Sequence, residues 1–218
     1  MIKGVIFDMD GVLVDNSAIH CRAFDIMTKR YGVAFDTSNM SYYFGRGNEE
    51  ILRGVLPAEI VDRVGVPALA AEKEAIYREI YAPSIRPVDG LVELLTALKA
   101  AAIPCAVGSS GPTENVEFVL SHCHIAELFN ARVDSSRVTR CKPDPEIFLT
   151  AAADLGCKPA DCLVFEDAVA GIMAARSAGM KVVALTTSFP KAEIEAKVSP
   201  DLIVKDFREL TVGRLESL

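Results

Sequence analysis

Along this chain, short consecutive apolar runs alternate with stretches whose apolar positions recur every three to four residues. Four runs, Lys3 to Phe7, Pro104 to Val107, Leu163 to Phe165 and Val182 to Leu185, read as strands covered on both faces, as in a parallel sheet. Leu91, Leu94, Leu95 and Leu98 fall at i, i+3, i+4 and i+7, and Ile147, Phe148, Ala151, Ala152 and Leu155 make a second stripe; both predict helices laid on that sheet. Asp144-Pro145 sets a cap residue and a first-turn proline ahead of the second helix, and Gly156 follows its last apolar position. Strands alternating with helices predict an α/β fold with a doubly wound parallel sheet.

From about Asn16 to Ser84 the pattern changes. Helical periodicity runs over Ala18 to Tyr31, Glu49 to Leu56 and Pro67 to Tyr81 with no convincing central strand between, which predicts a helical insert after the first strand. Pro83, Pro87 and Gly90 bracket the return to the α/β pattern. The expected organisation is therefore a core of residues 1–15 and 85–218 with an inserted helical unit over 16–84.

Length and composition narrow the classes. With 218 residues, half of them apolar, the chain can bury a large core without disulfides or a structural metal. Its 23 Lys+Arg against 30 Asp+Glu leave a net charge of −7, which argues against a nucleic-acid or anionic-membrane partner. Cys21, Cys105, Cys123, Cys141, Cys157 and Cys162 form no CxxC pair and mostly lie in apolar runs, as reduced thiols do. Asp8 interrupts the first apolar run before a signal-peptide core forms, and no stretch approaches the roughly 20 apolar residues that span a bilayer. A cytoplasmic protein is expected.

The chemistry gathers where strands end, because ligands of an open α/β sheet bind at the carboxyl edge. The first strand runs into Asp8-Met9-Asp10-Gly11, the next into Gly108-Ser109-Ser110, a loop supplies Lys142-Pro143, and a later strand closes on Glu166-Asp167. Each motif has an ordinary alternative: a DxD pair as a turn, Ser109 as a loop start, Lys142 as a solvated charge, Glu166-Asp167 as a helix cap. Together they make less sense that way, since carboxylates crowded on one rim repel unless cations are present. A hard divalent ion such as Mg²⁺, bound by Asp8, Asp10, Glu166 and Asp167 and assisted by Lys142, resolves the repulsion. The set then suits phosphoryl transfer. Asp8 is the candidate nucleophile, Asp10 the acid and base, and Ser109 a holder of the phosphoryl oxygens.

These segments, Phe7 to Asp15, Val107 to Ser110, Lys142 to Pro145 and Val164 to Asp167, resemble the four ordered motifs of the haloacid dehalogenase superfamily. The resemblance spans the chain and implies a Rossmann-like core, a mobile helical cap inserted after the first motif, and Mg²⁺-dependent transfer through Asp8. A second aspartate at Asp10 is similar to the phosphatases and mutases; dehalogenases lack it.

Within the superfamily the chain is similar to the branch containing β-phosphoglucomutase and small phosphomonoesterases, and the cap must decide between them. Asp15, His20 and Lys73 match positions that, in the mutase, couple cap closure to the acid/base aspartate. Read from the residues alone, Lys73 either snorkels or faces an anionic site, and His20 is either a core histidine aligned with Phe24, Met27 and Tyr31 or a gate. Against the mutase stands Phe44-Gly45-Arg46-Gly47-Asn48: Phe44 and Asn48 occupy places where the mutase carries a lysine and a phosphate-gripping arginine, and Arg46 is the cation left. Ser110, Gly111, Thr113 and Asn115 could each face substrate or solvent. The expectation is a monomeric phosphomonoesterase for a small phosphorylated metabolite, with the mutase as alternative. A phospho-accepting receiver module fits less well, because it carries no insert of this length. A nucleotide-binding protein lacks its glycine fingerprint here.

Overall fold

In a computed structural model of the protein, residues 2–36 and 43–218 are described, so positions 37–42 of the expected insert lie outside the described residues. Among the described residues six parallel strands, β1 (Gly4–Phe7), β2 (Cys105–Gly108), β3 (Ala131–Val133), β4 (Cys162–Glu166), β5 (Lys181–Leu185) and β6 (Leu202–Val204), stand in the order β3-β2-β1-β4-β5-β6. This is an α/β, Rossmann-like sheet, with its reversal of strand order beside β1.

β1 shows why it must be central. Val5 and Phe7 point into one apolar cluster and Ile6 into the other, all fully buried. Helices α5 (Leu91–Ala100) and α6 (Thr113–His122) cover the first face, α7 (Glu146–Asp154) and α8 (Val169–Ser177) the second. Phe7 stacks on Phe165 at 4.8 Å between ring centroids, and Phe207 packs edge-on against Phe165, so aromatic contacts knit the first face directly under the rim. Asp144 accepts a bond from the Glu146 N–H at the start of α7 (3.0 Å), and Gly156, at φ +67°, turns the chain away after its end. Pro145 sits at the cap position, one residue earlier than the sequence suggests.

Between β1 and α5 lie α1 (Ser17–Arg30), α2 (Asn48–Val55), α3 (Ala58–Val64) and α4 (Val66–Tyr81). Their apolar faces, including Phe24, Leu52, Leu69 and Tyr77, join the cluster on the α5/α6 face of the sheet. The Val88 N–H donates to the Leu13 carbonyl at 2.9 Å, tying the two crossings of the chain together.

Several short elements are absent from the sequence expectation, among them β3, β6, α3 and the helices Lys191–Lys197 and Val212–Glu216. β3 and β6 are three-residue edge strands with half-covered residues, too short for a burial pattern to register. Helix α3 is seven residues held between Pro57 and Gly65, less than two apolar repeats. Among the described residues no helix is long and apolar enough to cross a membrane.

Candidate active site

Sheet register delivers the first groups. Phe7 pairs with Val107 on one side and Phe165 on the other, so Asp8 and Glu166 leave the sheet at one level and Ser109 follows one residue beyond it. The Asp8 N–H still bonds the Phe165 carbonyl (2.9 Å) and the Ser109 N–H the Val133 carbonyl (2.9 Å), so both side chains start from fixed backbone.

Lys142 is the centre of the cluster. Its Nζ lies 2.6 Å from Asp8 Oδ1 and 2.7 Å from Glu166 Oε1, with the ammonium 4.8 Å from the Phe148 ring centroid and the side chain wholly buried. The other Glu166 oxygen accepts the N–H groups of Asp167 and Ala168, each at 2.8 Å, ahead of α8. Glu166 therefore orients Lys142 with one oxygen and fixes the turn into α8 with the other, although the helix itself starts after Ala168 with no side-chain cap. Two glycines make room. Gly11, at φ +77°, would drive a Cβ into the Asp167 carboxylate, and a Cβ at Gly171 would collide with Glu166.

The charge balance is uneven. Asp8, Glu166 and Asp167, all buried, each place an oxygen within 4.8 Å of the others, against one ammonium. Burial pushes the Asp8 carboxyl up to about 7, with Glu166 and Asp10 adding to the rise against the pull of Lys142. Asp167 is raised well above the carboxylate range by burial and by repulsion from Glu166 and Asp8. For Lys142, burial opposes the charge, but Asp8 and Glu166 outweigh it and raise the ammonium's pKa. Three oxygen donors converging with a surplus of negative charge are the donor set of a hard divalent cation.

Asp10 faces the other way, towards α1 and α4. Its Oδ1 accepts from Asn16 Nδ2 at 2.7 Å and lies 3.3 Å from His20 Nε2. Burial works against ionisation here too, but His20, Asn16 and Lys73 outweigh it and hold the carboxyl down to about 2. The His20 ring stacks on Tyr77 with centroids 4.1 Å apart, and its Nδ1 is 2.7 Å from Lys73 Nζ. Lys73 does not snorkel: it is 3% exposed, bonded to Glu74 at 3.0 Å and set over the Phe24 ring.

A cavity of about 70 Å³ lies between the two halves, lined by Asp8, Asp10, Asp167, His20, Lys73 and Arg46 among others. That is far below the roughly 300–1,000 Å³ of a ligand cleft. Ser109 is buried, with Oγ accepting the Gly111 N–H at 3.0 Å; Ser110 and Gly111 form the wall beside it. Ser110 Oγ donates to the Gly45 carbonyl across the gap (3.0 Å), and Arg46 pairs with Glu50 at 2.6 Å. Asn115 is occupied on both ends of its amide, by Glu74 and Arg78. Asp15 is not brought to this group. It is exposed and lines a separate groove of about 510 Å³ with Arg86, Thr187 and Lys205.

Sequence reasoning missed Asn16, Glu74, Tyr77 and Ser188. Asn16 is fully buried and joins Asp10 to the Tyr77 hydroxyl (2.7 Å), although its place before α1 reads as a helix cap. Glu74 carried a signal: an acid beside a lysine already lying in an apolar stripe. Ser188, which bonds Ser17 at 2.7 Å and lowers the Asp167 carboxyl, carried none.

A family model described as "Hydrolase: haloacid dehalogenase-like hydrolase" matches residues 2–179. The chain is 34% identical over 212 residues to validoxylamine A 7'-phosphate phosphatase of Streptomyces hygroscopicus subsp. limoneus, covering 96% of each chain. It is 33% identical to β-phosphoglucomutase of Bacillus subtilis strain 168, covering 98% of this chain and 94% of that one. Among solved structures it is similar to CbbY from Rhodobacter sphaeroides in complex with phosphate, with a TM-score of 0.87 and 25% identity over 99% of this chain and all of the other.

Proposed function

This chain belongs to the haloacid dehalogenase-like hydrolase family, and within that family we propose that it is a magnesium-dependent phosphomonoesterase acting on a small phosphorylated metabolite, a sugar phosphate by preference. The observation that carries the reading is the pairing of Asp8, clamped on Lys142, with a second carboxylate two residues on that is held by different partners. Core residues 1–15 and 85–218 supply the phosphoryl site, and 16–84 act as the cap.

Mg²⁺ would be held by Asp8, Asp167 and Glu166, not by the Asp10 carboxylate expected from sequence, which Asn16 and His20 engage; when bound it supplies positive charge to the phosphoryl oxygens. An Asp8 carboxylate oxygen attacks phosphorus, forming the acyl-phosphate bond as the ester P–O bond breaks. The leaving alkoxide takes its proton from Asp10. Asp10 rests as a carboxylate, and the arriving phosphate anion disfavours that charge, so proton uptake accompanies binding. Water then attacks the aspartyl-phosphate, Asp10 takes the water's proton, and the Asp8 carboxylate departs. Ser109, whose Oγ already accepts from Gly111, keeps its hydrogen to donate to an equatorial oxygen as charge spreads there. Lys142 holds Asp8 in line and neutralises it.

The mutase reading keeps one argument in its favour, the placement of His20 and Lys73 over Asp10. Phe44 and Asn48 on the cavity wall, with Arg46 paired to Glu50, weigh against gripping a second phosphate. A phosphate-release screen over sugar phosphates and other monoesters, with and without Mg²⁺, tests the proposal. It includes β-glucose 1-phosphate with catalytic glucose 1,6-bisphosphate. Mg²⁺-dependent release of inorganic phosphate is expected; rapid formation of glucose 6-phosphate without release would replace phosphatase by mutase.

A further inference from the structure

Beyond the reacting groups, a continuous chain of polar contacts leads away from Asp10 through the cap and back into the core. It runs from Asp10 to His20 (3.3 Å), Lys73 (2.7 Å) and Glu74 (3.0 Å), then to the Asn115 amide nitrogen (2.7 Å), whose oxygen accepts from Arg78 at 2.6 Å. Glu74 and Arg78 are one turn apart on α4, whereas Asn115 is in the first turn of α6, six residues after Ser109. We propose that Arg78 is a positioning residue: with Asn115 and Glu74 it latches the cap helix α4 to the core helix α6, and so sets His20 against Asp10.

The physical case rests on polarity and burial. Asn115 is 1% exposed and can satisfy a guanidinium and a carboxylate together in one orientation only, oxygen to Arg78 and nitrogen to Glu74. Glu74 is held below the usual carboxylate range: burial opposes ionisation, but Lys73, His20 and Asn115 outweigh it. Lys73 Nζ donates to Glu74 Oε1 and lies 2.7 Å from His20 Nδ1, where an amine hydrogen meets the ring's acceptor nitrogen. The imidazole proton is thereby placed on Nε2, facing Asp10 Oδ1. Buried charges of this kind are dispensable for packing alone, since apolar residues of similar volume hold helices together at least as well. Glu74 and Arg78 come from the inserted helix α4 and Asn115 from the core helix α6, so the chain is complete only where those two helices meet.

The inference rests on Asp10 acting as acid and base, and its test separates the two claims. Arg78→Met is assayed on an alkyl ester, the best sugar phosphate from the screen, and on acetyl phosphate, whose leaving group needs no proton. The latch predicts a loss of kcat of at least about tenfold on the sugar phosphate and less than about twofold on acetyl phosphate, with Arg78→Lys recovering most of the loss. Adding Asn115→Leu to Arg78→Met should cost little more, because both break one unit. Equal losses on the two substrates, or none on either, would overturn the latch while leaving the phosphatase reading standing. Imidazole ¹⁵N spectra of His20 give a readout independent of turnover: the Nε2–H tautomer in the parent protein and a mixed tautomer in Arg78→Met. If the parent released phosphate from neither substrate, the phosphatase reading would fail, and these spectra alone would decide the latch, an unchanged tautomer in Arg78→Met overturning it.

Discussion

Asp8 and Asp10 are the same residue type two positions apart, yet their surroundings drive them in opposite directions. Asp8, sunk among Glu166 and Asp167, is pushed up to about 7, and Asp10, met by His20 and Asn16, is held down to about 2. Taken alone, these shifts run against the proposed roles; a bound Mg²⁺ would favour the Asp8 carboxylate, and the arriving phosphate would favour protonated Asp10. Asp8→Asn should lower phosphate release on the order of 10⁴-fold while circular dichroism shows an intact fold, because the amide keeps the shape and removes the nucleophile. Asn16→Ala should destabilise the protein by about 1–3 kcal/mol in urea unfolding, since it removes the buried partner of the Tyr77 hydroxyl and of the Gly11 N–H. Strand-end chemistry made Asp8, Asp10, Lys142 and Glu166-Asp167 legible from sequence. Asn16 and Tyr77 were not, because a polar residue before a helix reads as a cap and a tyrosine in an apolar stripe reads as core. Only the approach of α4 to the first loop turns them towards Asp10. Asp15 shows the converse: next to Asn16 in sequence, it faces the opposite groove.

At the level of elements, the approach of α8 to β4 depends on a residue with no side chain. A Cβ at Gly171 would collide with the Glu166 carboxylate, the group that holds Lys142 in place. Gly171→Ala gains about 1 kcal/mol in helix propensity, yet overpacking costs about 1–3 kcal/mol. The variant should unfold at lower urea and lose phosphate release together, whereas stabilisation with full activity would mean that Glu166 has room to move. The central strands and long helices were readable because they are buried on both faces or carry full apolar stripes. β3, β6 and α3 escaped because three to seven residues at an edge or between two breakers carry no period, and their structure comes from neighbours.

For the whole molecule, the net charge of −7 understates how concentrated the acid is at the rim. A carboxyl whose folded pKa lies above its ordinary 3.8 stabilises the fold fully below about pH 4, and that contribution is lost as pH rises through about 7, the folded value for Asp8. In metal-free protein the melting temperature of the parent, measured against Asp8→Asn, should therefore fall between pH 4 and pH 8. Added Mg²⁺ should raise the parent's melting temperature more at pH 8 than at pH 5, where it must displace a proton. The most direct test of the central claim is covalent trapping. The protein is mixed with ³²P-labelled acetyl phosphate and Mg²⁺, quenched in acid and peptide-mapped. Label on the peptide carrying Asp8, absent from Asp8→Asn, is the predicted result; phosphate release with no label on Asp8, or with label on another residue, would contradict it.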